Sequence, residues 1–328
     1  MKKVGGKTML GLLFVFVVLI LYTIWDNNRI IVVEQEIEIE DLPSELEGFT
    51  ILQVTDLHEK EFGKLQKRLT SKINHVPYDV IVFTGDLLDS STSTNYQPVY
   101  DLLDGIHNKE HALYVGGNAD PSNYLLHPNY PFQKVEFIKG MEERGVRLLD
   151  SIYSLNDFPI HFLEFERAIV DPSRKLSEIE ARGVPKNDVY KDYFKNERKL
   201  NEDMLSLEQI KQSNDVIIAL HHYPIVDFRI DFYRDNPQYN FRNFDLIITG
   251  HYHGGQIRLP FLGALFVPEP WYDRNGLFPP QDRVKGLWEY EGTKQYVSAG
   301  LGSSDAIPFL KFRFLNPPEI NVLTLKRK

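Results

Sequence analysis

The chain has 328 residues, a formal net charge of −9 and no cysteine. A chain of this length can bury a large core within one α/β domain, and its apolar fraction of 42% is ordinary for a folded protein. The acidic balance argues against a nucleic-acid partner, because nucleic-acid sites usually show a basic face. Without cysteine, neither a disulfide nor a thiolate metal site can form, so any metal site must use oxygen and imidazole ligands.

The N-terminus has the pattern of a membrane anchor. Lys2, Lys3 and Lys7 precede an apolar run over residues 9–25. Seventeen helical residues span about 26 Å, slightly less than a hydrocarbon core of about 30 Å. A cleaved signal peptide also has a basic start and an apolar stretch, but this run exceeds the usual length and no small-residue cleavage site follows it. The sequence therefore predicts a transmembrane signal anchor within residues 1–30.

The residues that flank this run predict its orientation. Tyr22, Trp25 and Asp26 at its end suit a membrane interface. Basic residues stay on the cytoplasmic side, and the chain after the run is acidic, with Glu34, Glu36, Glu38, Glu40 and Asp41. We therefore expect a cytoplasmic N-terminus, a single span of the cell membrane and an extracytoplasmic domain over residues 31–328.

Short apolar runs, each followed by polar residues, recur along this domain. A first strand is predicted where Ile37 and Ile39 alternate with glutamates. Between the next two runs, Leu65, Leu69 and Ile73 predict a helix over residues 62–75. Alternating strands and helices indicate an α/β fold, which places its sites at the carboxyl ends of strands. The apolar runs cover residues 50–54, 80–83, 113–115, 216–220 and 246–248.

A polar segment over residues 171–214 interrupts this alternation. It is rich in Lys, Glu, Asp and Asn, and Leu200, Met204, Leu207 and Ile210 form a stripe at helical spacing. The pattern predicts a solvated helical insertion.

Five polar clusters directly follow the apolar runs. Taken singly, each is typical of ordinary structure: an Asp-x-His pair in a turn, a helix-capping Asp or a hydrogen-bonded His. A parallel sheet would bring all five together at one edge, where buried carboxylates and imidazoles need the compensation that divalent metal provides. Two metals about 3.5–4 Å apart, bridged by one carboxylate, would account for the number of ligands. The clusters are Asp56-x-His58, Gly85-Asp86-x-x-Asp89, Gly117-Asn118-x-Asp120, His222-x-Pro224 and Gly250-His251-x-His253.

The order and spacing of five segments resemble those of the calcineurin-like metallophosphoesterase superfamily. The segments are VTDLH, FTGDLLD, GGNAD, LHHYP and TGHYHGGQIRLP. The resemblance covers about residues 36–326, and the segments GHYHGGQIRLPFLGALFVP and YVSAGLGSS…RFLNPPEI look like the bacterial membrane-associated branch of that superfamily. The resemblance implies a four-layer αββα sandwich with two central mixed β-sheets, here preceded by one N-terminal transmembrane helix. It implies one metal held by Asp56, His58 and His253, a second held by Asn118, His222 and His251, a bridging Asp86, and an Asp89 that supports these ligands.

One position departs from the pattern of the superfamily. Its third motif usually reads Gly-Asn-His, whereas this chain has Ala119 after Asn118. The missing imidazole normally contacts phosphate and helps the leaving group depart, and its loss could cost about two to four orders of magnitude in rate. His221 and His127 lie near the motifs in sequence and could substitute, but we expect each to be a hydrogen-bonded or solvent-facing side chain.

Two functions remain open from the sequence. The first is a dinuclear metal-dependent hydrolase, with catalytic Asp86 and Asp89, in which a metal-bound hydroxide attacks a phosphomonoester or phosphodiester. Asp and His ligands suit Mn, Fe or Zn, and the predicted location favours a lipid-linked or cell-envelope phosphate. The second is a metal- and phosphate-binding protein with weak or no turnover because of Ala119. A purely structural domain would explain none of the clusters.

Overall fold

The computed structural model describes residues 6–210, 214–304 and 310–328. Lys2 and Lys3 of the predicted anchor, and residues 211–213 of the predicted insertion, lie outside the described residues. The helices are α1 (Gly6–Asp26), α2 (Lys67–Asn74), α3 (Gln97–Gly105), α4 (Glu136–Glu143), α5 (Phe165–Ala168), α6 (Pro172–Arg182), α7 (Asp188–Leu205), α8 (Leu207–Ile210) and α9 (Asp227–Asp235).

Most of the strands form two sheets, and two pairs of short strands form small ribbons. The strands are β1 (Ile31–Ile39), β2 (Thr50–Val54), β3 (Val80–Phe83), β4 (Ala112–Tyr114), β5 (Tyr124–Leu125), β6 (Gln133–Lys134), β7 (Arg147–Leu148), β8 (Ile152–Ser154), β9 (Ile160–Glu164), β10 (Val216–Leu220), β11 (Leu246–Thr249), β12 (Arg258–Leu259), β13 (Gly263–Ala264), β14 (Gly286–Tyr290), β15 (Thr293–Val297) and β16 (Glu319–Arg327).

Both large sheets are mixed. The first sheet has the strand order β1-β16-β2-β3-β4-β7, in which β2, β3, β4 and β7 are parallel and β16 runs antiparallel to β2. The second sheet has the order β14-β15-β11-β10-β9-β8, with antiparallel strands only at its two edges. Each sheet therefore has a parallel centre whose strands end at one edge.

Three buried apolar clusters separate four layers. Ile51 and Val82 of the first sheet pack with Ile218 and Ile248 of the second, so the two sheets face each other. A second cluster lies between the first sheet and α2, α3 and α4, and a third lies between the second sheet and α5, α7 and α9. The predicted αββα sandwich is confirmed.

The central strands lie where their apolar runs predict. The bounds of β2, β3 and β10 are those of the predicted runs, while β4 begins and ends one residue earlier than expected. Every residue of β3, β4, β10 and β11 is buried. Strands covered on both faces appear in a sequence as continuous apolar runs, which is why these elements were predictable.

The helix predicted over residues 62–75 was wrong at its N-terminal end, because α2 begins only at Lys67. Gly63, Leu65 and Gln66 have positive φ angles of 83°, 54° and 54°, which no right-handed helix accommodates. The Gln66 side chain accepts a hydrogen bond from the Phe62 amide (2.8 Å) and stabilises this turn. Leu65, which contributed to the predicted helical spacing, is 51% exposed.

Within the described residues, α1 is the one helix long and apolar enough to cross a membrane, and none of its apolar window is buried. Its end is fixed to the sandwich by a reciprocal pair of hydrogen bonds: the Asn27 side-chain amide donates to the Arg313 carbonyl (2.6 Å), and the Arg313 amide donates to Asn27 Oδ1 (2.8 Å). The Lys60 ammonium donates to the Asn27 carbonyl (2.7 Å).

The predicted insertion contains α6, α7 and α8. Leu200, Met204 and Leu207 of the expected stripe are buried, and the last two pack with the outer face of the second sheet. Ile210 is partly buried against the same cluster.

Candidate metal centre

The loops after five parallel strands meet at one edge of the sandwich. Backbone hydrogen bonds join these loops: the Asp56 amide donates to Gly85 O (3.0 Å), the His58 amide to Asp86 O (3.1 Å) and the Gly250 amide to His222 O (2.9 Å). The loops after β2 and β3 belong to the first sheet, and those after β10 and β11 belong to the second. The edge therefore combines side chains from both sheets.

Asp56, His58 and His253 form the first group of side chains that could hold a metal ion. Their potential ligand atoms all lie within 4.8 Å of one another, and all three residues are buried. The Nε2 atoms of His58 and His253 are 3.3 Å apart, and Asp56 Oδ1 is 3.6 Å from His253 Nε2. The His251 amide donates to both oxygens of Asp56, at 3.1 and 3.2 Å, and fixes the carboxylate.

Asp86, His222 and His251 form the second group, also within 4.8 Å. His222 Nε2 is 3.1 Å from His251 Nδ1 and 3.2 Å from Asp86 Oδ2. His222 Nδ1 lies 2.9 Å from the carbonyl of Thr84. Because a carbonyl only accepts, Nδ1 carries the proton in this contact, which leaves the Nε2 lone pair of a neutral ring free for a metal.

The carboxylate of Asp86 lies between the two groups. Its Oδ2 atom is 3.2 Å from His222 Nε2 in the second group and 3.6 Å from His58 Nε2 in the first. Its Oδ1 atom accepts a hydrogen bond from the Ala119 amide (2.7 Å). One oxygen is thus held by the backbone while the other faces both groups.

Burial dominates the protonation of these side chains. It raises the pKa of Asp56 to about 7. The charge of His222 opposes this increase, and the charge of Asp86 adds to it. Burial lowers the pKa of His251 to about 3, assisted by the charge of His222, and also lowers the pKa values of His58 and His253. Neutral imidazoles with free lone pairs are the form that binds metal.

Asp86 and His222 behave as a pair. Burial alone would raise the pKa of Asp86, but the charge and hydrogen bond of His222 outweigh it and lower that pKa. Burial would likewise lower the pKa of His222, but Asp86 raises it to about 9. A divalent ion that takes the place of the His222 proton would therefore meet an already ionised Asp86.

Asn118 is exposed on the loop after β4, next to the Ala119 amide that binds Asp86. Asp120, two positions on, is buried and holds this loop: Oδ1 accepts from the amides of Leu87 and Leu88, and Oδ2 from the Tyr114 hydroxyl and the Gly117 amide. The loop is thus fixed, with Asn118 one position before the amide that binds Asp86.

Asp89 contacts a proposed ligand instead of joining either group. Its Oδ1 is 3.9 Å from His58 Nδ1, and its Oδ2 accepts a hydrogen bond from Lys311 Nζ (2.7 Å). The amide of Asp89 donates to Glu59 Oε1 (3.1 Å). Asp89 therefore sits where it can orient the His58 ring.

The sequence profile of the calcineurin-like phosphoesterases matches residues 49–255, more than half of the chain. The chain belongs to the calcineurin-like phosphoesterases. The matched residues contain all seven predicted ligands, and family membership indicates a hydrolase of phosphate esters.

Two relatives extend the similarity beyond the matched region. The chain is 25% identical over 298 residues to the uncharacterized metallophosphoesterase YkuE of Bacillus subtilis (strain 168), covering 89% of this chain and 84% of the relative. It is 24% identical over 303 residues to the UDP-2,3-diacylglucosamine pyrophosphatase LpxG of Chlamydia muridarum, covering 85% and 84%. Among solved structures, a 5'-nucleotidase precursor from Thermus thermophilus matches with a TM-score of 0.38 and 12% identity, over 76% of this chain and 48% of that one.

This calcineurin-like phosphoesterase has a polar cavity of about 410 Å³ beside the second group. Gly117, His221 and Tyr223 line it together with carboxylates, and the ring centroid of Tyr223 is 4.6 Å from that of His251. His221 is buried against Phe165, and its Nε2 has no hydrogen-bond partner among the described residues. The cavity can accommodate a polar part of a substrate next to the metal centre.

The two histidines considered as substitutes for the missing imidazole differ in environment. His221 lines the polar cavity, and burial lowers its pKa well below the ordinary value. His127 is exposed, as expected, and its Nδ1 accepts a hydrogen bond from the Asn129 amide (3.3 Å). A neutral, buried His221 is not charged at neutral pH, so it is not a ready proton donor.

Several contacts at the calcineurin-like centre could not be found from the sequence. Lys311 is 222 positions from Asp89, its ion-pair partner. Arg313 is fully buried and donates to the His253 carbonyl (3.2 Å), as does the Asn316 side-chain amide (2.7 Å). These residues follow no apolar run that points to the site, so only the folded chain reveals them.

Proposed function

We propose that this calcineurin-like phosphoesterase hydrolyses a phosphomonoester or phosphodiester at a dinuclear metal centre. The main support is the position of Asp86 Oδ2, which lies 3.6 Å from His58 Nε2 in one group and 3.2 Å from His222 Nε2 in the other. A single carboxylate between two ligand groups is the arrangement that a pair of metal ions about 3.5–4 Å apart requires.

The ligands divide between the two ions according to their groups. Asp56, His58 and His253 would hold one ion, Asn118, His222 and His251 the other, and Asp86 would bridge them. The donors are oxygen and imidazole nitrogen, which fit Mn, Fe or Zn. Bound divalent ions supply a lowered pKa for water and neutralise developing charge on phosphoryl oxygens.

Residues around the ligands orient the ligand side chains and cover one side of the centre. Thr84 fixes the tautomer and angle of His222 through its carbonyl, and Asp89, held by Lys311, sits against His58. Hydrogen bonds of this kind typically change metal affinity or activity by about 10- to 100-fold when lost. Tyr223, whose ring lies near His222 and His251, covers one side of the centre.

A second candidate function is a metal- and phosphate-binding protein with weak turnover. Ala119 is buried, and its methyl group stands at the position where the superfamily has an imidazole. Burial keeps His221, the histidine that lines the adjacent polar cavity, neutral. Slow hydrolysis of esters with poor leaving groups would follow.

We further propose that residues 1–30 contain a signal anchor and that residues 31–328, with a helical insertion over 171–214, form an extracytoplasmic phosphoesterase domain. The exposed apolar surface of α1 supports the anchor. A cell-surface location makes a lipid-linked or cell-envelope phosphate a suitable substrate, and the LpxG relative is named for a diacylated one.

Metal content and turnover test the proposal together. Purified protein reconstituted with Mn, Fe or Zn should bind up to two ions per chain and hydrolyse a panel of nitrophenyl phosphate mono- and diesters. Asp86→Asn should lower both the metal content and the rate by at least about 100-fold, since residues that only orient a ligand already cost 10- to 100-fold.

Asp188→Asn is the matched control, because its side chain is 89% exposed on α7. It should bind metal and turn over like the wild type. A protein that binds no metal after reconstitution would refute the centre, whereas one that binds two ions yet hydrolyses no ester would favour the binding-protein alternative.

A further inference from the structure

An apolar cavity of about 250 Å³ adjoins the first metal-ligand group. His253 forms part of its wall, and its apolar lining includes Ile257, Leu265, Phe266 and Leu310. The polar cavity lies on the other side of the centre, beside the second group. The proposed metal centre thus stands between a polar compartment and an apolar one.

A second apolar groove, of about 550 Å³, runs between α1 and the sandwich. Leu19, Ile20 and Ile24 of α1 form one side, and Phe312 and Phe314 form the other. Ile257 and Leu310 line both this groove and the cavity beside His253. The two spaces are therefore adjacent, and together they lead from the surface of α1 to a proposed metal ligand.

The junction between α1 and the sandwich holds this arrangement in place. Arg313 exchanges two hydrogen bonds with Asn27 at the end of α1, and its guanidinium donates to the His253 carbonyl. Arg313 thus connects the end of the helix, through its backbone, to the ligand loop, through its guanidinium.

The segments that carry the cavity residues Phe266 and Leu277 also carry apolar side chains exposed to solvent. Phe261 is fully exposed, and Leu262, Phe266, Leu277 and Phe278 are 37–57% exposed. Exposed apolar side chains in such number are typical of an interaction site, and aromatic residues are typical of the membrane interface. Phe266 and Leu277 also line the cavity, so part of its wall is exposed to solvent.

We propose that the cavity beside His253 and the groove along α1 form one channel, which takes a hydrocarbon chain of a membrane lipid whose phosphate ester reaches the metal centre. The inference rests on the proposed function and narrows its substrate to acylated phosphate esters. The continuity of the channel with the anchor helix favours a lipid over a soluble ligand, since a bilayer supplies hydrocarbon chains at that helix. Burial of each methylene contributes about 0.8 kcal/mol, which is about fourfold in affinity.

The test uses the full chain, reconstituted with metal in phosphatidylcholine nanodiscs. Alkylphosphonates from ethyl to dodecyl, which cannot be hydrolysed, compete with 4-nitrophenyl phosphate. Their affinities are compared between wild type and variant in the same bilayer, so that partitioning of the phosphonates into the bilayer cancels. Ile257→Asp should weaken dodecylphosphonate more than tenfold and ethylphosphonate less than twofold. Leu265→Trp, which fills the cavity without adding charge, should show the same dependence on chain length.

Val184→Asp is the control, because Val184 is 82% exposed and lies outside both spaces; it should leave every affinity unchanged. If the ratio of variant to wild-type affinity is the same at all chain lengths, the channel proposal is wrong. The groove would then be covered by bilayer lipid or by a second copy of the chain. If no ester is hydrolysed, the same ratios are obtained by calorimetry. Loss of turnover thus counts against the proposed function alone, and loss of the chain-length dependence counts against the channel alone.

Discussion

Five of the seven proposed ligands have left-handed backbone conformations. Asp56, His58, Asp86, His251 and His253 have φ angles of 52°, 47°, 50°, 69° and 50°. Each such residue costs about 1–2 kcal/mol relative to an ordinary conformation, and strain of this kind concentrates at functional sites. The chain accepts this cost because the tight turns direct successive side chains, such as those of His251 and His253, toward the same centre.

Glycines make the turns between these ligands possible. A Cβ atom on Gly85 would lie 2.6 Å from the Gly117 amide nitrogen and 2.8 Å from His222 Nδ1, and φ at Gly85 is +89°. The β3 loop and the β4 loop therefore approach each other only because neither carries a side chain at this point. This close approach also brings the Ala119 amide within reach of Asp86.

Restoring an imidazole at position 119 should change the dependence of the rate on the leaving group. Ala119→His should raise kcat for alkyl phosphates by at least about tenfold and affect nitrophenyl phosphates much less, because only the poor leaving group needs a proton. The measurement is a linear free-energy plot of rate against leaving-group pKa. His127→Ala, at an exposed site, is the control and should leave the slope unchanged. A wild type that already hydrolyses both classes at similar chemical rates would contradict this explanation.

The sequence predicted the strands that are buried on both faces, but it did not predict the start of α2, which depends on a left-handed backbone turn. Runs such as that of β10 lie between two layers, so their apolar side chains mark the strand directly. The start of α2 was missed because the left-handed turn at Leu65 and Gln66 is held by side-chain hydrogen bonds that no periodicity reveals. Contacts such as Lys311 with Asp89 join distant parts of the chain, and a sequence without its fold does not specify them.

The start of α5 should make stability depend on pH. Glu164 accepts hydrogen bonds from the amides of Glu166 and Arg167, yet burial raises its pKa from 4.5 to about 7. A raised folded-state pKa contributes stability that is fully present below about pH 4.5 and is lost as the pH rises through 7. We expect the loss to be about 1–2 kcal/mol, less than the full shift implies, because the side chain borders the solvent-filled polar cavity.

The variant Glu164→Gln isolates this effect, because its amide stays neutral over the whole range. The free energy of unfolding, measured by urea titration of metal-free protein from pH 5 to 8, should fall with pH in the wild type relative to the variant. The metal ligands are the same in both proteins, so most of their contribution cancels in the difference. A difference that stays constant or changes sign across this range would contradict the assignment.

Metal binding should stabilise the entire sandwich. The proposed centre draws ligands from loops of both sheets, so an ion that binds there crosslinks the two halves. Saturation at 100 times the dissociation constant adds about 2.7 kcal/mol for each site that only the folded state forms. Mn or Zn should therefore raise Tm, and a chelator should reverse the increase.

His222→Gln should abolish most of this increase in Tm, since the ring nitrogen that faces Asp86 is lost. His161→Gln is the matched control, because His161 is also buried but bonds Ser154 and Asp215 away from the centre. That variant should start from a lower Tm and keep the metal-induced increase. Equal increases in both variants would place the bound metal elsewhere.

The orientation of the whole chain in a membrane follows from charge and is open to a direct test. Lysines before the apolar run and acidic residues after it predict a cytoplasmic N-terminus, and Asn27 fixes the end of α1 to the sandwich. Protease added to intact cells, with any wall removed, should digest the phosphoesterase domain while a cytoplasmic marker protein survives. Mass spectrometry of the membrane-bound protein should recover the apolar segment, which a cleaved signal peptide would lack. Full protection of the domain until lysis would reverse the assigned orientation, and the lipid channel would then have to draw its substrate from the inner leaflet.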